Sequence, residues 1–565
     1  YFSKDIDADQ IMAYDVLLDR YVEINARTSS GDLDSDGNKV CFIAYDKNIY
    51  CHDYDPENNY SVPPISYNEK VVGGYDFSGD TFRRQSYLIK PDEDPFDYHG
   101  HGTHVAATAA GKGDYNNNGM YEPELGEIWG VAPDAKIFAY KVFPNSYDHI
   151  IINAIERSMD PNQDGNYEDH INIISMSLGA SCMAYYGKYT SDCGPEDPIS
   201  QTVDNAVDAG IVVVIAGGND GPDEQTIGSP GTASKAITVA ASDKTDGLAD
   251  FSSRGFVIWN DIFDDKKYLM KPDITAPGVS ICAAQYDSAW KDRRCFNNNN
   301  HIAISGTSMA TPHVAGAAAL LLQAHPDWMP EQVKSALKNS AVDLQKELYE
   351  QGFGRLDVLK ASTLKTAPPK ISFSLKLESD QVLIEANISG ENLVQYNLKA
   401  KAKYETEWST LEANNLSSQG ENLLITKDSS FFSSGLNIFM LIVTDEFNQS
   451  FKEVDAIDID NFHITQVGNE MDYVINETEP ITAEVKRGGY ISYKVLLSQY
   501  LGSQDYGSTK VYSDWKSILE STQSLESGII GEINTNTLED GKYKFKIVAE
   551  HQNGRIVESF PFENV

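Results

Sequence analysis

The strongest constraint on the fold is the way apolar segments follow one another through the middle of the chain. Short, almost continuously apolar segments alternate with segments of helical period. The predicted strands are Ala135–Val142, Ile171–Leu178, Ile211–Ala216 and Ala236–Ala241, and the predicted helices are His149–Met159 and Val203–Ala209. Strands that lack polar alternation are buried on both faces, which is typical of a parallel sheet covered by helices. This part is therefore predicted to be an α/β domain, with functional residues at the carboxyl ends of its strands.

Length and charge limit the class of protein. The chain has 565 residues, of which 41% are hydrophobic, so we expect several folded domains. Its 84 acidic and 45 basic residues give a net charge of -39, which argues against nucleic acid and anionic membranes as partners. No apolar run approaches the ~18 residues of a membrane span. We expect a monomer that is secreted or held at the cell surface. The start at Tyr1, with no signal peptide, suggests a mature form or a fragment.

A glycine turn delivers a serine into the first turn of a helix. Residues Gly306–Gly316 read Gly-Thr-Ser-Met-Ala-Thr-Pro-His-Val-Ala-Gly, and the apolar run Val314–Leu322 continues a buried helix to about His325. Free backbone N–H groups and the helix dipole stabilise negative charge at such a start. Ser308 therefore occupies a position that suits a nucleophile. A bare Gly-Thr-Ser would equally fit a serine that caps an ordinary core helix.

The full block is more specific than its serine. Residues Gly306–Gly316 resemble the nucleophile block of the subtilisin-like serine proteases, the subtilases. His99–Ala106, His-Gly-His-Gly-Thr-His-Val-Ala, resemble the family's histidine block, and Ile215–Gly221, Ile-Ala-Gly-Gly-Asn-Asp-Gly, resemble its oxyanion block. Because three blocks occur in the family's order, chance resemblance is negligible.

The resemblance implies roles for particular residues. Ser308 would be the nucleophile, His101 the general base, and Asn219 a side-chain donor to the oxyanion. Ser177–Gly179 is similar to the family's edge that pairs with an extended peptide, and Ala276–Gly278 also fits the family. The leading hypothesis is a serine endopeptidase that hydrolyses peptide bonds of extracellular proteins. The alternative is a catalytically deficient, subtilase-like surface or binding protein.

The family's aspartate block is the missing part of this pattern. That block is an apolar strand ending in Asp-Thr-Gly or Asp-Ser-Gly, and no such tripeptide precedes the histidine block here. Val40–Asp46 is an apolar strand that ends in an aspartate, but Lys47-Asn48 follows it. Three possibilities stand: an aspartate block upstream of Tyr1, Asp46 as the acid, or a relative that lacks the triad. Of these, the upstream block is preferred.

Three acidic loops carry the pattern of a calcium site. Oxygen-bearing side chains at alternate positions followed by a glycine are typical of calcium loops, although Asn/Asp/Gly clusters also form Asx-turns without metal. The loops are Asp32–Asn38; Asp114–Glu122, with Asp114, Asn116, Asn118 and Glu122; and Asp160–Asp169, with Asp160, Asn162, Asp164 and Asp169. We predict structural Ca²⁺ that holds long loops against self-cleavage and takes no part in the chemistry.

The six cysteines fall in three close pairs. They are Cys41/Cys51, Cys182/Cys193 and Cys282/Cys295, and six cysteines allow 15 pairings. Nearest-neighbour disulfides are our hypothesis, with free buried thiols as the alternative. An even count in loop settings favours an oxidising compartment.

The pattern of predicted secondary structure changes near residue 367. Two prolines in Ala367–Lys370 end any helix, and alternating strands with turns follow. We predict an insertion or partial N-terminal part of the catalytic domain over 1–70 and a subtilisin-like peptidase domain over 71–366. Two β-sandwich modules are predicted over 367–460 and 461–565. The modules carry no catalytic constellation, and spacer, surface attachment and substrate capture are all compatible with them.

Overall fold

The chain forms two compact units, Tyr1–Asn68 and Glu69–Val565. The computed structural model describes four strands of the first unit by their backbones. In the second it describes residues 69–79, 89–113, 128–182, 193–260, 266–286, 293, 295, 301–403, 405–467, 478–504, 509–538, 541–552, 556–559 and 561–564. In the first unit, β1 (Ile11–Asp15) pairs with β2 (Arg20–Ile24), and β3 (Lys39–Ile43) with β4 (Ile49–Asp53), both antiparallel. Asp46 and the loops 32–38 and 114–122 lie outside the described residues.

The second unit begins with parallel strands. β5 (Val71–Asp76) pairs with β6 (Ile137–Lys141). A four-stranded parallel sheet follows, in the order β12-β9-β8-β7. Its strands are β7 (Ile173–Met176), β8 (Val212–Ala216), β9 (Ile237–Ser242) and β12 (Ile274–Pro277). The predicted α/β fold with a parallel sheet is confirmed.

Helices cover both faces of this sheet. The described helices of this part are α1 (His101–Ala110), α2 (Asp148–Met159), α3 (Pro198–Asp208), α4 (Thr307–Ala324), α5 (Pro330–Ser340), α6 (Leu348–Gln351) and α7 (Val358–Ser362). The helix α3 begins earlier than the predicted Val203, because Asp197 caps it by accepting hydrogen bonds from the N–H groups of Ile199 and Ser200. Among the described helices, none is long and apolar enough to cross a membrane.

The central strand β8 shows why its sequence is apolar throughout. Val212 and Val214 pack in the cluster that contains Val314 of α4. Val213 and its partners on the other face pack with α2 and α3 in a second cluster. Because successive side chains of a strand point to opposite faces, both sets must be apolar. The sheet therefore holds α4 on one side and two helices on the other.

Two hairpins complete the peptidase part. β10 (Val257–Asn260) pairs with β11 (Lys266–Leu269), and β13 (Ile281–Ala284) pairs with β14 (His301–Ile304), both antiparallel. Two disulfides, Cys182–Cys193 and Cys282–Cys295, join cysteines whose Cα atoms lie 5.5 and 5.9 Å apart. These are two of the three predicted pairs. The third pair, Cys41 and Cys51, are opposite each other in the register of β3 and β4, and their side chains lie outside the description.

The rest of the chain forms two all-β modules, as predicted. In the first, a three-stranded sheet of order β15-β16-β19 and a four-stranded sheet of order β18-β17-β20-β21 share one core. Its strands are β15 (Lys370–Glu378), β16 (Gln381–Ser389), β17 (Leu393–Ala402), β18 (Ser409–Asn415), β19 (Gly420–Asp428), β20 (Gly435–Asp445) and β21 (Ser450–Ile459).

The second module repeats this plan with more strands. β22, β23 and β27 form one sheet, and β24, β25, β26, β28, β29 and β30 form the other. They are β22 (Phe462–Val467), β23 (Thr478–Val485), β24 (Tyr490–Gln504), β25 (Thr509–Tyr512), β26 (Lys516–Ser521), β27 (Gly528–Asn534), β28 (Tyr543–His551), β29 (Ile556–Glu558) and β30 (Phe562–Asn564). The predicted domain limits at 70, 366 and 460 stay predictions.

Candidate active site

The histidine and serine blocks lie at the starts of two packed helices. His101 is the first residue of α1, and Ser308 is in the first turn of α4. Val105, one turn after His101, shares a buried cluster with Met309, which follows Ser308. Further along, the helices touch at Gly316 of α4. The first turns of α1 and α4 are therefore held side by side by direct packing.

An aspartate fixes the start of α1. One carboxylate oxygen of Asp97 accepts hydrogen bonds from the N–H groups of His99 and Gly100, each at 2.8 Å. The other oxygen accepts from the N–H and the hydroxyl of Thr103, also at 2.8 Å. Burial opposes the charged form of Asp97, but these hydrogen bonds lower its pKa. Asp97 thus neutralises free donors of the helix start and fixes the backbone around His101.

The His101 ring is mostly neutral at neutral pH. Burial lowers its pKa below the ordinary value, the neighbouring His99 acts in the same direction, and Asp97 opposes them. A neutral imidazole is the form that accepts a proton from a nucleophile.

The next histidine of the block is a packed helix residue. His104 is fully buried, and its Nε2 lies 3.0 Å from the carbonyl oxygen of Ile281 and 3.3 Å from that of Ile302. Burial lowers the pKa of His104 to about 4, so its ring is neutral and its Nε2–H donates to the carbonyls of the β13–β14 hairpin. His104 therefore ties α1 to the hairpin and is not placed to react with substrate.

Reciprocal hydrogen bonds attach Ser308 to the carboxyl end of β7. The hydroxyl of Ser177 donates to the carbonyl oxygen of Ser308 at 2.7 Å. The hydroxyl of Ser308 donates to the carbonyl oxygen of Ser177 at 3.4 Å, a long contact that is easily exchanged for another partner. Ser308 is only partly buried, so its oxygen is accessible to a substrate.

The amide of Asn219 has a defined orientation. Asn219 follows β8, and its Oδ1 accepts hydrogen bonds from the N–H of Thr307 at 2.9 Å and from the Thr307 hydroxyl at 3.1 Å. Since a backbone N–H can only donate, the atom that faces it must be the amide oxygen. The Nδ2 group consequently points away from the N–H of Thr307. Asn219 is exposed, so a ligand can reach it.

The third acidic loop lies away from this site. Asp160 ends α2 and Asp169 precedes β7 at its amino end, whereas Ser177 follows the carboxyl end of the same strand. Carboxylate oxygens of Asp160, Asp164 and Asp169 lie within 4.8 Å of one another. Any ion held there is separated from Ser308 by the length of β7. A calcium role outside the chemistry stays a prediction.

Sequence reasoning missed two residues of the site. Asp97 and Thr307 each take part in more of the described hydrogen bonds of this region than Asn219 or Ser308 does. A signal for Asp97 was present, since an aspartate shortly before a helix start commonly accepts its free N–H groups. Thr307 had no such signal, because its main contacts are with a loop distant in sequence.

Comparison with known proteins agrees with the fold. The family model described as "Subtilase family" matches residues 55–354, more than half of the chain. Serine protease AprX of Bacillus subtilis (strain 168) is 38% identical over 265 residues, which are 45% of this chain and 55% of that protein. Subtilisin DY of Bacillus licheniformis is 33% identical over 301 residues, 52% of this chain and 84% of that one.

Similarity to a solved structure is also found. Sphericase is 32% identical, and the match covers 52% of this chain and 86% of that one with a TM-score of 0.38. The chain therefore resembles proteins of the serine protease class. The match to the family model makes the assignment specific, and the chain belongs to the subtilase family. It spans little more than half the length of AprX.

Proposed function

We propose that the chain hydrolyses internal peptide bonds through nucleophilic attack by Ser308. His101 takes the hydroxyl proton and returns it to the leaving amine. The oxyanion is held by Nδ2 of Asn219 and by the N–H of Ser308. The substrate lies as an extended strand along Ser177–Gly179, where main-chain groups pair with it.

The orientation of the Asn219 amide carries this proposal. Its oxygen is engaged by Thr307, the residue directly before the nucleophile, so its NH₂ group is fixed in direction before a substrate arrives. A donor fixed in advance costs no reorganisation when charge develops, and loss of one such donor typically lowers kcat by ~10²–10³. An isolated helix-capping serine would require no such neighbour.

We assign the acid that would orient His101 to a residue outside those that the structure describes. Asp97, the described carboxylate nearest to His101 in sequence, has both oxygens committed to the start of α1. A triad acid must instead accept from the imidazole. Asp46 keeps its place as a candidate.

Labelling with a fluorophosphonate probe tests the proposed function. The probe reacts with an activated serine, so the wild-type protein should be labelled and Ser308→Ala should not. Ser305→Ala is a matched control, because Ser305 is exposed, lies close in sequence and has a hydroxyl that accepts a hydrogen bond from the N–H of Ser280. Equal labelling of wild type and Ser308→Ala, or none of either in folded protein, would refute the proposal and favour a binding function.

We also propose that the protein acts on extracellular proteins and is secreted. Two disulfides support an oxidising compartment, because thiols stay reduced in the cytosol. The acidic net charge of -39 supports solubility in such a setting.

Calcium fits the loop Asp160–Asp169. Oxygen donors from Asp160, Asp164 and Asp169 are already gathered, and Ca²⁺ binds oxygen ligands almost exclusively. Asp160 also accepts hydrogen bonds from the N–H groups of Asp164 and Gly165, which shapes the turn. Asn162 lies within the same loop and accepts from the N–H of Asp164. Calcium would neutralise this cluster and stabilise the connection between α2 and β7.

A further inference from the structure

The first β module docks on the peptidase part through an apolar cluster. Phe256 and Met270 of the peptidase part are buried against Ile438 of β20 and Ala456 of β21. Because these side chains are nine-tenths or more buried, the two parts pack as one body at this contact. The module is thus in a position to affect residues of the active site.

Five described ion pairs cross this interface, and three of them involve a largely buried lysine. Lys338 pairs with Glu453 at 3.1 Å, Lys401 with Glu347 at 2.9 Å, and Lys403 with Glu224. The exposed fractions of the three lysine side chains are 6%, 5% and 13%. A lysine buried to this extent needs its carboxylate partner, because an unpaired buried charge is strongly destabilising. Each pair therefore fixes the residue that it reaches.

Of the described ion pairs that cross this interface, only that of Lys403 with Glu224 reaches the segment that carries Asn219. We call residues Gly217–Gly228, between β8 and β9, the oxyanion loop. Its start and end are tied to one neighbouring segment, since Gly218 accepts from the N–H of Ser253 and Thr226 donates to the carbonyl of Arg254. Gly221 also donates to the carbonyl of Phe251 in that segment, and Glu224 lies between Gly221 and Thr226. Lys338 and Lys401 instead connect α5 and the segment before α6.

Glu224, in the oxyanion loop, contacts both α6 and the first β module. Its carboxylate accepts a hydrogen bond from the hydroxyl of Tyr349 in α6. The ammonium of Lys403 lies 5.5 Å from the ring centroid of Phe256 and 5.4 Å from that of Tyr349. Cations at this distance are attracted to aromatic faces. The two aromatic rings thereby hold the ammonium of Lys403, and its ion pair fixes the carboxylate of Glu224.

We infer that Lys403 of the first β module is a positioning residue for the oxyanion donor Asn219, acting through Glu224 and the oxyanion loop. This inference rests on the proposed function, because it assigns the module a part in the same reaction. The first β module then helps to position the oxyanion donor and is more than a spacer. Lys403 contacts neither substrate nor reacting atoms.

Steady-state kinetics on a peptide p-nitroanilide tests this role with matched variants of the full chain. Lys403→Met should lower kcat about tenfold and leave KM within twofold, because a donor displaced by a fraction of an ångström weakens transition-state binding more than substrate binding. Lys403→Arg should restore at least half of the wild-type kcat. Lys401→Met removes a second buried cation of the same interface and should leave kcat within twofold.

Several outcomes would overturn the inference. Equal loss of kcat in Lys403→Met and Lys401→Met would mean that docking in general matters, and an unchanged kcat in Lys403→Met would exclude the coupling. If Lys403→Met does not fold by circular dichroism, Glu224→Gln is measured by the same criteria. If the wild type turns over substrate and Lys403→Met has no specific effect on kcat, this inference is wrong and the proposed function stands. If the wild type does not turn over substrate, both the proposed function and the positioning role are wrong.

Discussion

At the residue scale, the site depends on which groups are neutral and which are fixed. Burial gives His101 a lowered pKa, and Thr307 determines the direction of the Asn219 amide. Both effects come from neighbours of the catalytic candidates. Two predictions follow from these neighbours.

The pH dependence of kcat/KM should follow the His101 imidazole. The base must be neutral, so activity rises as pH increases through its pKa. Because burial lowers that pKa, the midpoint of the acidic limb should lie below the ordinary value of about 6.5. A stopped assay between pH 4.5 and 9 measures it. A midpoint at 7 or higher would mean that the charge of the orienting carboxylate raises the pKa of the ring more than burial lowers it.

Thr307→Val should reduce turnover without unfolding the protein. The change keeps the shape but removes the hydroxyl that donates to Asn219 Oδ1. We expect kcat to fall about tenfold with KM nearly constant, since part of the ~2.7–4 kcal/mol of one oxyanion donor is lost. Thr311→Val is the control, because that buried hydroxyl bonds only within α4, to the carbonyl of Thr307. Equal kinetics for the two variants would show that the Thr307 hydroxyl does not act on Asn219.

At the scale of elements, helix contact sets the spacing of the two catalytic candidates. In α4, a Cβ at Gly316 would lie 2.9 Å from the carbonyl oxygen of Ala109 in α1 and 2.6 Å from Cβ of Val131. Both are closer than such atoms normally approach, and the first is backbone, so it cannot turn aside. A single methyl group at this position must therefore move α1 relative to α4.

Gly316→Ala should consequently impair both stability and catalysis. Overpacking of this kind costs about 1–3 kcal/mol, and a shift of α1 carries His101 with it. Thermal unfolding and kcat measure the two effects. Gly488→Ala is the control, because a Cβ there has no neighbour within 4 Å. A Gly316→Ala protein that is as stable and active as wild type would show that the helices can separate at no cost.

Sequence patterns predicted local features better than contacts between distant segments. The strands around β8 and the helix after Ser308 were found from apolar periodicity, because both faces of the sheet and one side of α4 are buried. The start of α3 was missed, since a cap at Asp197 extends the helix beyond its apolar run. The pair of Lys403 with Glu224 joins residues separated by 179 positions, and no local period records such a contact.

At the scale of the whole molecule, the acidic excess makes cations a source of stability. At a net charge of -39, the excess carboxylates of the protein repel one another. The loop Asp160–Asp169 concentrates several of them in one place. Neutralising such a loop should stabilise the native state more than the unfolded chain, in which these carboxylates are separated.

Removal of calcium should therefore lower the melting temperature. At a free concentration of about 100 times Kd, a bound ion contributes ~2.7 kcal/mol, which corresponds to roughly 5–10 °C. Scanning calorimetry in Ca²⁺ and in EGTA measures the difference, and Asp164→Asn should reduce it. Glu421→Gln, an exposed carboxylate of the first β module, should keep the full difference. Identical melting with and without calcium would refute a structural ion.

The disulfides described above decide how this protein should be manufactured. Cys182–Cys193 bridges the segment between β7 and α3, and Cys282–Cys295 bridges the segment between β13 and β14, so both crosslinks belong to the peptidase part. A bacterial cytoplasm keeps thiols reduced and would yield chains in which these segments are open. Export to the periplasm, or refolding in a glutathione buffer, is the sensible production route, and a thiol-reactive dye offers a simple batch test of the product.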